Sequence, residues 1–285
     1  MTHKQERRTT FKTAPLPFQG QKHRFLTEYQ KALKEFVEGN EIHTLVDLFG
    51  GSGLLSHVAK RLYPNLTVVY NDYDDYHIRL QNIDRTNALL SEIRPFAAHL
   101  PKEAKIVDTY RSRILEAVEK AENAGFVDYI TLSASLLFSG RYATTWSAFQ
   151  KEGFYNRFIS HDYNAAGYLD GLVICKYHYQ ELFTYYQGQE GVLFVLDPPY
   201  LSTDTSTYNS DQYWKLRDYL DVLKVLQGSN YIYFTSGKSA IVDLCRWLSD
   251  NPGFRNPFDG AEVRTCSAQL NYRSRYLGMM LYKHR

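Results

Sequence analysis

The chain alternates short apolar runs with longer amphipathic stretches, and this alternation predicts its architecture. The clearest run, residues 192–196, holds five apolar residues between Gly191 and the prolines that begin at Pro198. A short run that is apolar throughout predicts a strand buried on both faces, as in a parallel sheet. Similar runs, each predicting a further strand, lie at residues 44–49, 66–70, 172–175 and 231–234.

Amphipathic stretches separate most of these runs. Apolar residues recur at helical spacing over residues 25–36, 54–62, 213–226 and 241–248. Two runs near the end of the chain, 262–266 and 276–282, predict an antiparallel pair at the sheet edge. The order of elements therefore predicts an α/β fold, a Rossmann-like doubly wound sheet with an antiparallel edge hairpin.

One long stretch interrupts this order. Residues 74–125 have a helical pattern with charges of both signs, and residues 131–170 are rich in Ser, Thr, Tyr and Gly with weak periodicity. We therefore expect a mainly helical and irregular insertion domain at residues 81–164. Residues 1–80 and 165–285 would form the principal, ligand-binding domain.

Composition excludes several classes of protein. The chain is 44% hydrophobic, yet no stretch approaches the roughly 18 uninterrupted apolar residues of a membrane helix. Its start has no apolar segment typical of a signal peptide, so we expect a cytoplasmic protein. The three cysteines have no metal-ligand spacing, which favours reduced thiols and no metal site.

Net charge is only +2, but the charge is unevenly distributed. Residues 1–34 carry eight Lys or Arg against two acids, and residues 254–285 carry six against two. Basic ends of this kind can form an electrostatic surface for phosphates. For residues 1–12, solvated charge in a tail explains the pattern equally well.

A stiff tetrapeptide follows the central apolar run directly. In Asp197-Pro198-Pro199-Tyr200 the prolines fix their own φ angles and restrict the residue before each of them. The side chains are therefore presented at the carboxyl end of a strand, where open α/β sheets bind ligands. The alternative is a turn that merely ends the strand.

A glycine turn follows the first predicted strand. Residues 47–53 read Asp-Leu-Phe-Gly-Gly-Ser-Gly, and Asp72 ends the next strand nineteen residues after Gly53. Glycines allow a ligand to approach the backbone, and an acid at this place commonly binds ribose hydroxyls. The alternative to a ligand site is that residues 47–53 form a tight turn and Asp72 is an unrelated surface aspartate.

Four stretches occur together in an order known from one enzyme family. They are Pro-Phe-Gln-Gly-Gln-Lys at 17–22, the glycine turn at 47–53, Asn-Asp at 71–72 and Asp-Pro-Pro-Tyr at 197–200. In this order the sequence resembles the Dam-type class of N6-adenine DNA methyltransferases of bacteria and phages. The resemblance covers about residues 15–80 and 170–282.

The resemblance implies S-adenosylmethionine as the cofactor. Lys22 would pair with the cofactor carboxylate, although a lysine in a basic segment is otherwise a solvated charge. Asp72 would hold the ribose. The methionine end would lie against the glycine motif, at Asp47, Phe49 and the backbone around Gly51.

The resemblance leaves alternatives open for four other side chains. Phe18 would pack on the cofactor or cap the core, and Tyr73 would lie against the cofactor adenine or pack in the core. His178 stands where the family often carries an acid that is assigned to this adenine. Glu181 could replace that acid, the contact could be lost, or His178 could be a surface histidine without a role.

The same resemblance implies how the amine of adenine is activated. Asp197 and the carbonyl of Pro198 would accept hydrogen bonds from the exocyclic N–H groups and draw the nitrogen lone pair out of conjugation. Tyr200 would stack on an adenine that has been flipped out of the duplex. The enzyme would mainly align an in-line methyl transfer.

Candidate DNA contacts lie in the insertion and near the carboxyl terminus. Residues 138–141 and 153–158 resemble elements of the family's target-recognition domain. Arginine reads guanine edges, and aromatic rings stack or wedge between bases. Arg273 and Arg275 would contact phosphates or serve as solvated charges at the sheet edge. The candidates within the insertion are Arg141, Tyr142, Trp146 and Arg157.

The resemblance therefore implies a site-specific DNA adenine N6-methyltransferase that acts on double-stranded DNA. We expect a monomer, and a restriction enzyme as a functional partner remains open. Two alternatives are an RNA adenine N6-methyltransferase and a catalytically impaired DNA-binding homologue. The histidine at position 178 is the one feature that favours the last of these.

Overall fold

Seven strands form one sheet in the part of the chain that the structure describes. This computed structural model describes residues 10–39, 42–138, 140–199, 214–251, 253, 255–271 and 274–285, with the backbone alone for 268–271 and 274–276. The strands are β1 Thr44–Asp47, β2 Thr67–Asn71, β3 Val173–Cys175, β4 Val192–Leu196, β5 Asn230–Ser236, β6 Glu262–Asn271 and β7 Ser274–Lys283. Each strand overlaps a segment for which the sequence predicts a strand, although β6 extends beyond its predicted segment at 262–266.

The strand order across the sheet is β3-β2-β1-β4-β5-β7-β6. The first five strands are parallel, and β7 runs antiparallel to both β5 and β6. This arrangement confirms the predicted doubly wound sheet with an antiparallel edge hairpin. The chain order reverses between β1 and β4, so the carboxyl ends of these strands form the switch point at which open α/β sheets bind ligands.

Helices connect the strands and form most of the insertion. Within the described residues no helix is both long enough and apolar enough to span a membrane. Short 3-10 turns cover His23–Phe25 and Arg94–Ala97. The α-helices are α1 Leu26–Gly39, α2 Leu54–Leu62, α3 Tyr76–Gln81, α4 Ile83–Ile93, α5 Asp108–Asn123, α6 Tyr129–Leu136, α7 Trp146–Phe149, α8 Tyr179–Tyr186, α9 Leu216–Leu226 and α10 Ala240–Asp250.

Both faces of the sheet are buried, which explains why its central strands are apolar without alternation. On one face, alternate strand residues such as Val46 and Phe194 form a core with apolar residues of α8, α9 and α10. On the other face, α1 and the turn before it supply aromatic rings. Phe25 packs edge-on against Phe234, with ring centroids 5.5 Å apart.

The chain forms two compact units. The first comprises Met1–Thr13, Gln21–Asp74 and Leu169–Arg285, and it contains the sheet. The second comprises Ala14–Gly20 and Asp75–Tyr168. Its own apolar core is built from α4, α5, α6 and the irregular segment that follows, including Phe149 and Phe154.

A buried ion pair holds the short segment Ala14–Gly20 within the second unit. Arg79 donates from Nε to both carboxylate oxygens of Asp128, each at 3.1 Å, and from a terminal nitrogen to the carbonyl of Pro17 at 2.8 Å. The hydroxyl of Tyr76 bonds to both the backbone N–H and the carbonyl of Leu16. These hydrogen bonds offset part of the cost of removing both charges from water.

Candidate active site

An ion pair joins two of the sequence-predicted residues within the first unit. Asp197 follows β4 directly, and its Oδ2 accepts a hydrogen bond from Nζ of Lys22. The two side chains are only 20% and 10% exposed, and the ring of Phe234 lies 6.0 Å from the ammonium. The structure thus brings together two residues to which the sequence assigned separate ligands. Phe234 carried no sequence signal beyond its place in a strand.

Asp47, the last residue of β1, is a buried carboxyl with one unsatisfied oxygen. Its Oδ2 accepts a hydrogen bond of 2.7 Å from Ser56, whereas Oδ1 has no hydrogen-bond partner among the described residues. Burial and, to a smaller extent, the charge of Asp197 raise the pKa of this carboxyl to about 7. The Ser56 hydroxyl, the backbone of Phe49 and the Lys22 ammonium act in the opposite direction.

The glycine turn is shaped by the aromatic ring that faces it. A Cβ added at Gly50 would lie 2.3 Å from the ring of Tyr70, and the hydroxyl of Tyr70 donates to the carbonyl of Gly51 at 2.7 Å. Gly51 and Gly53 adopt φ angles of 50° and 72°, a region that glycine enters at little cost. Gly50 is therefore required by the close approach of the Tyr70 ring, and not by the approach of a ligand.

Asp72 follows β2 and is fully buried. Its backbone N–H donates to the carbonyl of Cys175 at 2.8 Å, which continues the pairing of β2 with β3 by one residue. The next side chain, Tyr73, is 54% exposed, so core packing is wrong as an explanation for it. Exposure leaves its ring accessible to a ligand.

His178 directly precedes helix α8 as its N-cap residue and is exposed to solvent. Its Nδ1 accepts a hydrogen bond of 3.4 Å from the backbone N–H of Gln180, so the imidazole caps the helix. Glu181 lies in the first turn of the same helix, and its side chain is also exposed. Helix capping is a role for this histidine that the sequence pattern did not suggest.

Aromatic rings surround Phe49 on the carboxyl side of the sheet. Its ring centroid lies 5.1 Å from that of Tyr179 and 5.6 Å from that of Trp214. Tyr179 and Trp214 stack on each other at 5.5 Å. Neither Tyr179 nor Trp214 belongs to one of the motifs, and both are far from Phe49 in the sequence. The sequence therefore did not predict this cluster.

Phe18 lies in the second unit, and three other predicted side chains fall outside the described residues. Phe18 belongs to the second unit, where its ring packs edge-on against Tyr76 at 5.6 Å. Tyr200 and the polar stretch that follows it to position 213 lie outside the described residues, as does Arg273. The side chain of Arg275 is likewise outside them. Pro198 is buried directly after the catalytic candidate Asp197.

Comparison with known proteins decides the family. Residues 18–232 match the sequence model of the D12 class N6 adenine-specific DNA methyltransferases. The chain belongs to this family. A Haemophilus influenzae protein described as "putative methyltransferase" is 38% identical over 245 residues, which cover 85% of this chain and 82% of that protein.

Enzymes of the D12 class methyltransferase family generally use S-adenosylmethionine. The site described above offers polar groups for such a molecule at the ends of adjacent strands. Asp47 ends β1, Asp72 follows β2, and Asp197 follows β4. Because β2, β1 and β4 are neighbouring parallel strands, these three carboxyls lie side by side at the carboxyl ends of the strands.

The second unit of this methyltransferase holds the insertion residues that the sequence suggested for DNA contact. Arg141 is exposed and pairs with Glu152 at 3.0 Å. Arg157 donates to the carbonyl of Leu137 at 3.1 Å and so joins two segments of the unit. Trp146 opens α7 and packs on the core of the unit.

Sequence reasoning missed one exposed ring in this unit. Phe138 is 61% exposed, and its ring contacts only the edge of Tyr155 among the described aromatic rings, at 5.7 Å. A signal existed, because Phe138 opens the short stretch that resembles a recognition element. An apolar ring of this exposure beside Arg141 suits stacking on a base.

Proposed function

We propose that this protein transfers a methyl group from S-adenosylmethionine to the exocyclic N6 amine of a specific adenine in double-stranded DNA. The observation that carries the proposal is the place of Asp197 and Pro198. They follow the central strand β4 directly, in the same unit as Asp47, Asp72 and the glycine turn.

The protein's part in the reaction is to hold and activate the amine. S-adenosylmethionine, when bound, supplies a methyl group that is already activated by its sulfonium. The carboxylate of Asp197 and the carbonyl of Pro198 would accept the two N–H groups of adenine and keep the nitrogen lone pair directed at the methyl donor. Lys22 would balance the charge of Asp197 and hold its orientation.

Asp47 supports the assignment of the cofactor. A buried carboxylate oxygen without a hydrogen-bond partner costs free energy unless a ligand satisfies it. The cationic amino group of S-adenosylmethionine would supply both charge and hydrogen bonds to Asp47. Asp72 would hold the ribose, Phe49 and Gly51 would line the methionine end, and His178 would lie near the adenine.

Labelled S-adenosylmethionine tests the proposed activity directly. We expect purified protein to label N6 of adenine in duplex DNA at one recognition sequence. Structured RNA of matched sequence should remain unlabelled. Labelled RNA with unlabelled DNA would favour the RNA enzyme, and cofactor binding without any transfer would favour an impaired DNA-binding protein.

The exposed Phe138 gives a prediction about DNA. Replacing Phe138 with alanine should weaken duplex binding about 10-fold, because a stacked aromatic ring contributes about 1–3 kcal/mol per base. Fluorescence anisotropy with a labelled recognition duplex measures this change. Affinity for the cofactor should stay unaltered. Val107→Ala, which removes another exposed apolar side chain of the same unit, should leave DNA binding unchanged.

Asp47 gives a prediction about pH. With its pKa raised to about 7, Asp47 is largely protonated below that pH, whereas the cationic amino group of the cofactor favours the carboxylate. The cofactor dissociation constant should therefore fall about tenfold per unit as pH rises from 5.5 toward 7, and level off above it. Calorimetry should show proton release on binding at pH 6.5.

Asp47→Asn serves as the control for this pH dependence. An asparagine cannot titrate, so its weaker cofactor binding should be flat over the same range. Lys22, Asp197, Tyr29 and Cys175 also interact with this carboxyl. If the pH dependence persists in Asp47→Asn, one of those groups and not Asp47 is its origin.

A further inference from the structure

Asn71, the last residue of β2, forms hydrogen bonds with two loops at the carboxyl ends of the parallel strands, where the proposed cofactor site lies. Its side chain is buried, and its Nδ2 donates to the carbonyl of Leu48 and to the carbonyl of Tyr177, each at 3.0 Å. Its Oδ1 accepts from the backbone N–H of Tyr177 at 2.9 Å. One side-chain amide therefore bonds to the segments that follow β1 and β3.

The two loops carry residues assigned to different parts of the cofactor. Leu48 is followed directly by Phe49 and the glycine turn, which are proposed to line the methionine end. Tyr177 is followed by His178, which is proposed to lie near the adenine. Asn71 is itself followed by Asp72, the proposed ribose ligand. The strands β1, β2 and β3 are neighbours in the sheet, with β2 in the middle.

Further contacts from the end of β2 reach the glycine turn. The carbonyl of Asn71 accepts from the N–H of Gly50 at 3.3 Å, and Tyr70 donates to Gly51 as described above. Two consecutive residues of one strand thus determine where the turn lies. Because the side chains of Tyr70 and Asn71 are buried, water would compensate only in part for the loss of these contacts.

We propose that Asn71 is a positioning residue for the methyl donor. It sets the distance between the loop that holds the methionine end and the loop that holds the adenine end, and this inference rests on the proposed function. Only an amide supplies two donors and one acceptor in this arrangement. An aspartate would place one carboxylate oxygen, in the position of Nδ2, against the carbonyls of both Leu48 and Tyr177.

Asn71→Asp tests the proposal. We expect the KM and the dissociation constant for S-adenosylmethionine to rise about 10- to 100-fold, because displacements of about 1 Å have effects of this size. The affinity for duplex DNA should stay unchanged. At saturating cofactor, kcat should return to within about threefold of the wild type. A fold defect alone would instead lower kcat at every cofactor concentration.

Asn230 provides a matched control. Its side chain also donates to a strand carbonyl, that of Val192 at 3.2 Å, and accepts from the backbone N–H of Arg285 at 2.8 Å. It begins β5, so it lies at the amino ends of the parallel strands. Asn230→Asp should lower the melting temperature and leave the KM for S-adenosylmethionine unaltered.

Tyr70→Phe keeps the test decisive if Asn71→Asp does not fold. It removes the hydrogen bond that the Tyr70 hydroxyl donates to Gly51 and should raise the cofactor KM about 3- to 10-fold. Wild-type cofactor affinity in folded Asn71→Asp protein would overturn the proposal, and so would wild-type affinity in Tyr70→Phe if Asn71→Asp does not fold. If the wild-type protein binds no S-adenosylmethionine at all, the proposed function has failed instead.

Discussion

Replacing Asp197 with asparagine is expected to lower kcat for adenine methylation by about 10²- to 10⁴-fold, the range typical of a lost acid–base or acceptor group. An asparagine of the same size has one weaker acceptor and an NH₂ donor group. Its NH₂ group cannot accept a hydrogen bond from the amine of adenine. Binding of S-adenosylmethionine should change little, because Asp197 is assigned to the amine. Single-turnover labelling and calorimetry measure the two quantities separately.

The control for this variant is Asp243→Asn, which removes an exposed carboxylate paired with Arg246 at 3.7 Å. It should retain wild-type kcat. An Asp197→Asn protein that keeps more than about a tenth of wild-type kcat would remove Asp197 from the reaction. The tetrapeptide would then be a strand-ending turn.

Replacing Lys22 with methionine is expected to reduce kcat/KM for S-adenosylmethionine by at least about 100-fold. Loss of one partner from a fully buried ion pair costs about 3–5 kcal/mol, and this pair, with side chains 10% and 20% exposed, should lie near the lower value. Lys22 has a second proposed partner, the carboxylate of the cofactor. A lysine ammonium has three donors, so it can serve Asp197 and that carboxylate together.

A double-mutant cycle separates the two roles of Lys22. If Lys22 binds the cofactor, adding Lys22→Met to Asp197→Asn should weaken S-adenosylmethionine about as much as it does in the wild-type background. If Lys22 serves only Asp197, the second substitution should have no further effect on cofactor affinity. Lys34→Met removes an exposed lysine of α1 and should leave all constants unchanged.

The strands of this protein were predictable because their signal is local. Residues 192–196 are apolar without a break since β4 is buried on both faces of the sheet. Strand β1 and most of β5 are buried in the same way. The order of the runs along the chain then allowed few topologies, and the observed sheet is among them.

The candidate site was predictable as a set of residues but not as an arrangement. Lys22 and Asp197 each stood in a motif, yet no pattern showed that they form an ion pair. The clustering of Phe49 with Tyr179 and Trp214 was equally invisible. Phe18 and Lys22 share one motif, but the structure assigns Phe18 to the second unit and Lys22 to the first.

By itself the sequence determined the strands, their order along the chain and the chemical groups at their ends. These features depend on periodicity and on the fixed geometry of proline, which act over a few residues. The tertiary structure alone decided the partners of those groups. Lys22 meets Asp197 across 175 residues, and Asn71 meets Tyr177 across 106. Burial likewise raises the pKa of Asp47 to about 7. Contacts at such separations depend on which strands pair, and no local pattern encodes them.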